Sequence, residues 1–379
     1  MLRIKIMDNP FVTKGYAGPE YFCDREKETE QLVELVTNDN NIALISPRRV
    51  GKTDLIYHLF HQPEINGRYH TFHIDIYATS SLRDFVNVFG RAILNELKPK
   101  GKLLWESFLN TLRSIRSEIS FDINNNPSWS IGLGDIENPS VTLDEIFQYL
   151  READKPCLVA IDEFQQITRY SDASNVEALL RTHIQRCSNA TFIFAGSKRH
   201  LMGEIFTSPS RPFYQSVLIV NLKPISEEKY GEFARMQFEK HGKTIDIEAV
   251  SSVYRRFDAV TSCMQRVLNV LFLKTPPQGH CSPDMVDSAI QYILELFSET
   301  FADLLDKIPE KQREVLLAIA QEGKATGITG HPFLKRHHLQ TASVVSSAVR
   351  SLLEKDLITQ EKSVYMVYDP FFGLWLKDL

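Results

Sequence analysis

The triplet Gly51-Lys52-Thr53 is the first group of residues whose types and spacing could do chemistry. It follows the apolar run Ile42–Ile45 after a short turn, and a helical pattern begins directly behind it. In this order, the N–H groups of the turn and the N-terminus of the helix form a concave anion site. Gly51 lets the backbone approach phosphates, Lys52 reaches the outer phosphates and the Thr53 hydroxyl is placed to bind Mg²⁺. The stretch predicts a phosphate-binding loop.

The loop departs from the pattern G-x-x-x-x-G-K-[ST] at its first position, where Ser46 replaces Gly. A Cβ resists positive φ, but a Ser hydroxyl can bond the backbone of the loop, so we interpret Ser46 as a tolerated variant that leaves nucleotide affinity open. Taken alone, the stretch also fits an ordinary buried strand, turn and helix. The predicted nucleotide-binding residues are Ser46, Pro47, Arg48, Arg49, Val50, Gly51, Lys52, Thr53 and Asp54 of the loop, together with Phe22 and Arg25.

A second group is the acidic pair Asp162-Glu163, which ends the apolar run that begins at Cys157. Such a run predicts a buried strand that carries its carboxylates to the carboxyl edge of a sheet. There we expect Asp162 to hold Mg²⁺ through water and Glu163 to act as general base toward an attacking water. An acidic pair is also a common strand end, so this assignment depends on its pairing with the loop around Lys52.

Four further residues have two interpretations each. Ser197 follows the apolar run that begins at Thr191, and it is a candidate sensor of the γ-phosphate or else a turn residue. Arg211 precedes Pro212, and it is a candidate phosphate-sensing arginine or else a plain loop residue. Phe22 and Arg25 stand just before a helical pattern, where they could border an adenine pocket or form a helix cap with a staple.

Composition places the chain among ordinary globular proteins, with 379 residues, 43% of them apolar and 24% charged. The five cysteines are scattered without Cys-x-x-Cys spacing, which disfavours structural zinc and fits a reducing compartment. No run approaches membrane-spanning length, and the first residues do not form an apolar signal core, so we expect a cytoplasmic protein without membrane contact. A formal charge of −5 gives no global field that favours nucleic acid.

Strands that alternate with helices predict a doubly wound parallel sheet of about five strands. We assign residues 1–222 to this nucleotide-binding domain, with a hairpin inserted at about 118–134. Residues 223–300 contain only helical patterns and predict a helical lid. Residues 301–379 contain three helical patterns and a hairpin, which together predict a winged helix-turn-helix domain.

The predicted winged domain has little basic character. From Glu310 to Leu379 there are nine Lys/Arg and eight Asp/Glu, a net charge of +1. The exposed side of its third helix offers three serines and the single Arg350, whereas a DNA-reading helix normally carries more donors to phosphates and bases. Contact with a protein partner is therefore at least as well supported as contact with DNA.

With these pieces placed, the chain resembles the archaeal-type ATPase family of P-loop NTPases, within the AAA+/STAND group and similar in layout to origin-recognition ATPases. The resemblance covers nearly the whole chain. It implies ATP and Mg²⁺ binding, an AAA+-like α/β P-loop fold, a helical lid and a C-terminal winged helix, but it leaves the biological target open. The matching segments begin at Phe22, Pro47, Ile161, Ala195, Arg211, Leu357 and Tyr368.

These observations lead to one main functional hypothesis and two alternatives. The main hypothesis is an ATPase that acts as a molecular switch, binding ATP or ADP and coupling the nucleotide state to the winged helix. One alternative is a DNA-associated, initiator-like regulator that uses ATP as a conformational ligand. The other is a nucleotide-responsive module for protein interaction, to which the Trp129 segment gives the only hint. Self-association and the source of any arginine finger stay open.

Overall fold

The computed structural model describes residues 9–97, 120–121, 127–128 and 136–379. These residues form two compact units, one comprising Lys14–Ile225 and the other comprising the chain up to Thr13 together with Ser226–Leu379. Trp129 lies outside the described residues, and so does the segment of about 103–115, for which the sequence pattern predicts a helix. Within the described residues, no helix has both the length and the apolar character needed to cross a membrane.

The first unit is built on a five-stranded parallel sheet in the order β2-β5-β6-β1-β7. A separate antiparallel pair, β3 with β4, lies in the predicted hairpin insert. The strands of this unit are β1 (Ile42–Ile45), β2 (His70–Asp75), β3 (Ser120–Phe121), β4 (Pro127–Ser128), β5 (Cys157–Asp162), β6 (Ala190–Gly196) and β7 (Leu218–Asn221). Its helices are α1 (Glu26–Thr37), α2 (Lys52–Phe60), α3 (Leu82–Glu96), α4 (Pro139–Arg151), α5 (Ala173–Arg186) and α6 (Arg199–Thr207).

Both faces of the main sheet are covered, because successive side chains of its central strands enter two different cores. Along β1, Ala43 and Ile45 belong to one buried cluster, whereas Ile42 and Leu44 belong to the other. The period of two in a strand produces this alternation, and burial on both faces explains why β1 reads as a continuous apolar run. The predicted doubly wound parallel sheet of five strands is confirmed.

The strand order decides which residues meet at the carboxyl edge of the sheet. β6 pairs with β1 on one side and with β5 on the other. Its carboxyl end therefore lies between the loop that follows β1 and the acidic pair at the end of β5. Ser197, directly after β6, is carried to this position by the topology alone.

The second unit begins with a helical region that also contains one short strand pair. Its helices are α7 (Glu227–Lys240), α8 (Ile247–Arg256), α9 (Thr261–Lys274) and α10 (Met285–Asp306), and its strands are β8 (Thr244–Ile245) and β9 (His280–Cys281). The sequence predicted helices only, because two-residue strands leave no detectable alternation. Helix α10 continues through residue 300, where we predicted the lid to end, so the unit has an unbroken helix at that boundary.

The N-terminal segment packs into this second unit, although the sequence analysis placed it in the domain of residues 1–222. Phe11 is fully buried, with its ring centroid 5.5 Å from that of Phe238 and 6.0 Å from that of Phe272. The Asn9 side-chain amide donates to the Asn269 carbonyl at 2.9 Å, and the Asn269 amide donates to the Phe11 carbonyl at 2.7 Å. Two amides and one ring thus fix this irregular segment among helices far along the chain.

The predicted winged helix is confirmed, with two elements that the sequence analysis missed. These are the short strand β10, which completes a three-stranded antiparallel sheet, and the terminal helix α14, whose N-terminus is capped by the Asp369 carboxylate. Phe372 of α14 packs on Phe301 of α10 at a centroid distance of 5.2 Å. The elements are α11 (Glu310–Glu322), β10 (Ala325–Thr326), α12 (His331–Arg336), α13 (Ala342–Glu354), β11 (Ile358–Glu361), β12 (Val364–Val367) and α14 (Pro370–Lys377).

Candidate nucleotide-binding site

The loop between β1 and α2 leaves the N-terminus of α2 open. Ser81 and Asn138 cap the N-termini of α3 and α4 with side-chain oxygens, whereas no side chain among the described residues caps α2. Its N-cap is Gly51, with φ 90°, a left-handed conformation that favours glycine. The first N–H groups of α2 are thus available to an anion, which the helix dipole also favours.

Ser46 is accommodated without strain at the position where the usual pattern has glycine. It is not among the described residues with positive φ, so this loop does not require glycine at that point. Its N–H donates to the Gly196 carbonyl at 3.3 Å, and its hydroxyl donates to the Pro47 carbonyl at 2.8 Å. The expected bond from the Ser hydroxyl to the loop backbone is present, and it ties the loop to the end of β6.

Lys52 is buried at the base of this loop, with 6% of its surface exposed. Its Nζ lies 3.5 Å from the Pro47 carbonyl oxygen. Burial lowers the pKa of the Lys52 ammonium, and the carboxylates of Asp162 and Glu163 oppose this effect. A buried ammonium held by a backbone carbonyl and nearby carboxylates is ready to exchange those weak partners for phosphate oxygens.

Thr53 and Asp162 join the loop helix to the acidic strand. The Thr53 hydroxyl donates to Asp162 Oδ2 at 2.7 Å, and the Glu163 N–H donates to Asp162 Oδ1 at 2.9 Å. Burial alone would raise the pKa of Asp162; hydrogen bonds from His73 and Thr53, with the charge of Lys52, hold that pKa below its ordinary value. Asp162 is therefore an ionised, buried carboxylate beside a hydroxyl.

His73 is a residue of the site that the sequence analysis missed. Its Nε2 lies 3.4 Å from Asp162 Oδ2, on the strand that pairs with β5. Its ring packs at 5.0 Å from that of Tyr57 on α2. One feature of the sequence could have identified His73: it lies two residues before Asp75, at the carboxyl end of a strand. Only the pairing of β2 with β5, however, brings His73 to Asp162.

The carboxylate of Glu163 is held by polar side chains from three elements. Glu163 starts a 3₁₀ turn (Phe164–Arg169) with φ 56°. Its Oε2 accepts from Ser197 Oγ at 3.0 Å and from the Gln165 amide, and Arg48 NH2 lies 3.7 Å away. Arg48 Nε also donates to Ser197 Oγ at 3.1 Å. The structure thus brings the predicted residues Arg48, Glu163 and Ser197 together and adds Gln165.

The remaining loop residues surround this centre. The Val50 carbonyl lies 3.4 Å from NH2 of the buried Arg25, while Arg25 NH1 pairs with Glu28 at 2.8 Å. Arg49 takes up a positive φ of 66° in the loop. Burial in the first turn of α2 raises the pKa of Asp54. Arg25 and these loop residues are placed together, and their roles in nucleotide binding stay predictions.

Phe22 packs beside the loop helix rather than on the loop itself. Its ring stacks on that of His58 at 4.4 Å with an interplanar angle of 22°. The Tyr16 hydroxyl and His58 Nδ1 lie 2.7 Å apart. These contacts place an aromatic group against α2, and whether that group borders an adenine stays a prediction.

Arg211 is engaged away from the cluster around Glu163. Its guanidinium pairs through NH2 with the carboxylate of Glu177, which is fully buried, and through NH1 with Glu204 at 3.6 Å. Burial raises the pKa of Glu177 to about 7, and the charge of Arg211 opposes this rise. No described contact joins Arg211 to Lys52 or Glu163, so its phosphate-sensing role stays a prediction.

An open loop with a buried Lys and a Thr, next to an acidic strand of a five-stranded parallel sheet, defines an AAA+-like P-loop protein. The chain belongs to the family of ATPase domains found predominantly in Archaea, whose model matches residues 22–266. A model described as a probable winged helix domain matches residues 299–378. Both assignments agree with the family resemblance inferred from the motifs.

Solved structures share this architecture along nearly the whole chain. A Walker-type ATPase of Pyrococcus abyssi has a TM-score of 0.64 and 17% identity, covering 97% of this chain and 99% of that one. The Aeropyrum pernix ORC2 protein has a TM-score of 0.59 and 13% identity, covering 97% and 95%. The Aeropyrum pernix ORC1 protein, solved in complex with DNA, has a TM-score of 0.54 and 11% identity, covering 98% and 96%. Such low identities establish a shared fold, and a comparison with curated proteins found no match.

Proposed function

We propose that this protein binds ATP with Mg²⁺ and hydrolyses it. The observation that carries the proposal is the 2.7 Å hydrogen bond from Thr53 Oγ1 to Asp162 Oδ2, because it joins the loop helix to the acidic strand. Hydroxyl and carboxylate oxygens are ligands that Mg²⁺ prefers, so these two residues fit the ion, Asp162 through water. Once bound, Mg²⁺ would neutralise charge on the phosphates.

Glu163 supplies the base for hydrolysis in this proposal. Its carboxylate accepts a proton from a water molecule while the water oxygen forms a bond to the γ-phosphorus. The bond from this phosphorus to the β–γ bridging oxygen breaks, and ADP leaves with the electron pair of that bond. The proton then passes to the phosphate product or to solvent. Lys52 neutralises the outer phosphates, and Ser197, which donates to Glu163 at 3.0 Å, holds the base in place.

The proposal includes a switch that couples nucleotide state to the winged helix. The chain passes between its two units twice, at Thr13–Lys14 and at Ile225–Ser226. A change in the unit that holds the loop can be transmitted through both connections to the unit that holds the winged helix. ATP would favour one arrangement and hydrolysis would release it, as in other nucleotide switches.

The winged helix supports a protein partner better than DNA. Its basic patch at Lys335–His338 is partly neutralised, because Arg336 and His337 both contact the Glu322 carboxylate. Lys324 pairs with Asp258 at 2.8 Å. The exposed side of α13 presents serines and Arg350. Carboxylates beside these cations reduce the positive potential that the domain presents to DNA phosphates.

The DNA-associated alternative follows from the winged fold and from the DNA-bound ORC1 structure that shares it. We expect the full chain to bind duplex DNA only in the non-specific range, with a Kd of about 10⁻⁴–10⁻⁶ M. The measurement is fluorescence anisotropy of labelled duplexes over a salt series. The full chain is used because a fragment starting at residue 300 would cut α10. Nanomolar binding with a steep salt dependence would instead support the alternative.

Lys52→Ala tests the nucleotide site. We expect ATP affinity to fall by about 10- to 100-fold, because the phosphates lose a charge-assisted partner. Titration with a fluorescent ATP analogue measures binding, and phosphate release measures turnover. Lys27→Ala, which removes an exposed Lys on α1, serves as the matched control and should change neither quantity. Equal affinity in wild type and Lys52→Ala would contradict the site assignment.

A further inference from the structure

One arginine of the phosphate-binding loop faces the acidic strand. Arg48 reaches from the loop to the carboxyl ends of β5 and β6, where its Nε donates to Ser197 Oγ at 3.1 Å and its NH2 lies 3.7 Å from Glu163 Oε2. Its guanidinium also lies over the Tyr77 ring, 5.4 Å from the centroid. The side chain is 22% exposed, so it is neither locked in the core nor free in solvent.

The position of Arg48 coincides with the place where chemistry must occur. A general base has to lie within hydrogen-bond reach of the attacking water, directly or through one further water. With Lys52 on the outer phosphate and Glu163 as the base, the phosphate and this water would therefore lie between Lys52, at the base of the loop, and Glu163, at the end of β5. The Arg48 side chain spans the same space, because its backbone lies in the loop and its guanidinium lies beside Glu163.

The charges at the site also support a phosphate contact by Arg48. Lys52 and Arg48 leave the same loop, and both interact with the carboxylate of Glu163. Two cations that converge on a loop repel each other until an anion lies between them. The carboxylates of Asp162 and Glu163 offset part of this repulsion. A triphosphate, with charge on its outermost group, would offset more.

Arg211, the other candidate for a phosphate-sensing arginine, is already paired with carboxylates. Arg211 forms its ion pair with the fully buried carboxylate of Glu177. Removing it would leave a buried carboxylate without its cation, which is strongly unfavourable. Arg48, by contrast, contacts the partly buried Ser197 and Glu163, and its cation–π contact with the half-exposed Tyr77 can persist while the guanidinium shifts.

We infer that Arg48 is the arginine that stabilises the negative charge on the γ-phosphoryl group during hydrolysis, supplied by the same loop that binds the phosphates. This inference rests on the proposed ATPase function. If Arg48 has this role, hydrolysis does not require an arginine from a second subunit, because the chain supplies its own. Turnover per chain is then independent of protein concentration.

Arg48→Ala and Arg48→Lys test this role, with Arg68→Ala as a matched control that removes an exposed arginine of the same unit. We expect Arg48→Ala to lower ATP turnover by about 100-fold and to weaken binding of ADP with aluminium fluoride by a similar factor. ADP affinity should change by less than about threefold, because ADP lacks the group that Arg48 contacts. Arg48→Lys should restore only part of the loss, since an ammonium lacks the planar fork.

The outcomes separate this inference from the proposed function. Wild-type protein without ATP turnover would overturn the ATPase proposal and this role of Arg48 with it. Turnover that survives in Arg48→Ala would overturn the role alone. So would equal weakening of ADP and of ADP with aluminium fluoride, which would make Arg48 a support for the loop or for Glu163. A wild-type rate per chain that rises with protein concentration would assign the charge stabilisation to a second copy.

Discussion

Replacing Glu163 with Gln should lower ATP turnover by about 1000-fold while ATP stays bound, because an amide cannot accept the proton of the attacking water. The substitution keeps the size of the side chain and one oxygen that can accept the hydrogen bonds from Ser197 and Gln165. Steady-state phosphate release and titration with a fluorescent ATP analogue measure the two quantities. The expected signature is a large fall in kcat with little change in nucleotide affinity.

The control for this variant is Glu64→Gln, which makes the same chemical change at an exposed position of the same unit. It should leave both turnover and affinity unchanged. If Glu163→Gln hydrolyses ATP at the wild-type rate, Glu163 is not the base. If turnover and affinity fall together, the carboxylate acts instead in forming the binding site through its bonds to the loop and β6.

The second large effect is expected far from the nucleotide. Phe11→Ala should destabilise the second unit by about 4 kcal/mol, because it removes a fully buried ring packed among Phe233, Phe238 and Phe272 and leaves a cavity. Hydrogen exchange of the full chain is the suitable measurement, since a protein of two units need not unfold in one step. Peptides from α7 and α9 should lose protection, while peptides from β1 and β5 keep theirs.

Thr13→Ala is the control, because Thr13 is an exposed residue of the same segment. It should leave exchange in α7 and α9 unchanged. Unaltered protection of these helices in Phe11→Ala would mean that the N-terminal segment rests on the unit without stabilising it. Loss of protection throughout the chain would mean that the two units unfold together.

Much of the site could be predicted from sequence because its chemistry is local. Gly51, Lys52 and Thr53 lie in one turn, and Asp162 and Glu163 lie at one strand end, so spacing and hydrophobic pattern identify both groups. Placing them on one sheet edge required only the rule that parallel strands share a carboxyl edge. The five strands and the winged hairpin were predictable for the same reason.

What escaped prediction depends on which element lies beside which. Periodicity assigns His73 to a strand but does not tell that its strand pairs with β5, and so it does not place the imidazole at Asp162. Arg48 was recognised as a loop residue, yet its neighbours Ser197 and Glu163 lie more than a hundred residues away in sequence. The sequence gives no sign that Phe11 is buried, because a single buried ring outside a helix or strand has no period.

The packing of Phe11 also affects the order of folding while the chain is being synthesised. Phe233, its first aromatic neighbour in the chain, is added 222 residues later, and Phe272 later still. At ribosomal rates of about 5–20 residues per second, the segment waits roughly 10–50 s before its partners exist. The nucleotide-binding unit can complete its sheet during this interval, whereas the helical unit cannot finish until the helices that pack on Phe11 have been synthesised. Nascent chains stalled before residue 226 should therefore expose Phe11 without its packing partners, and a chaperone can bind the segment around it.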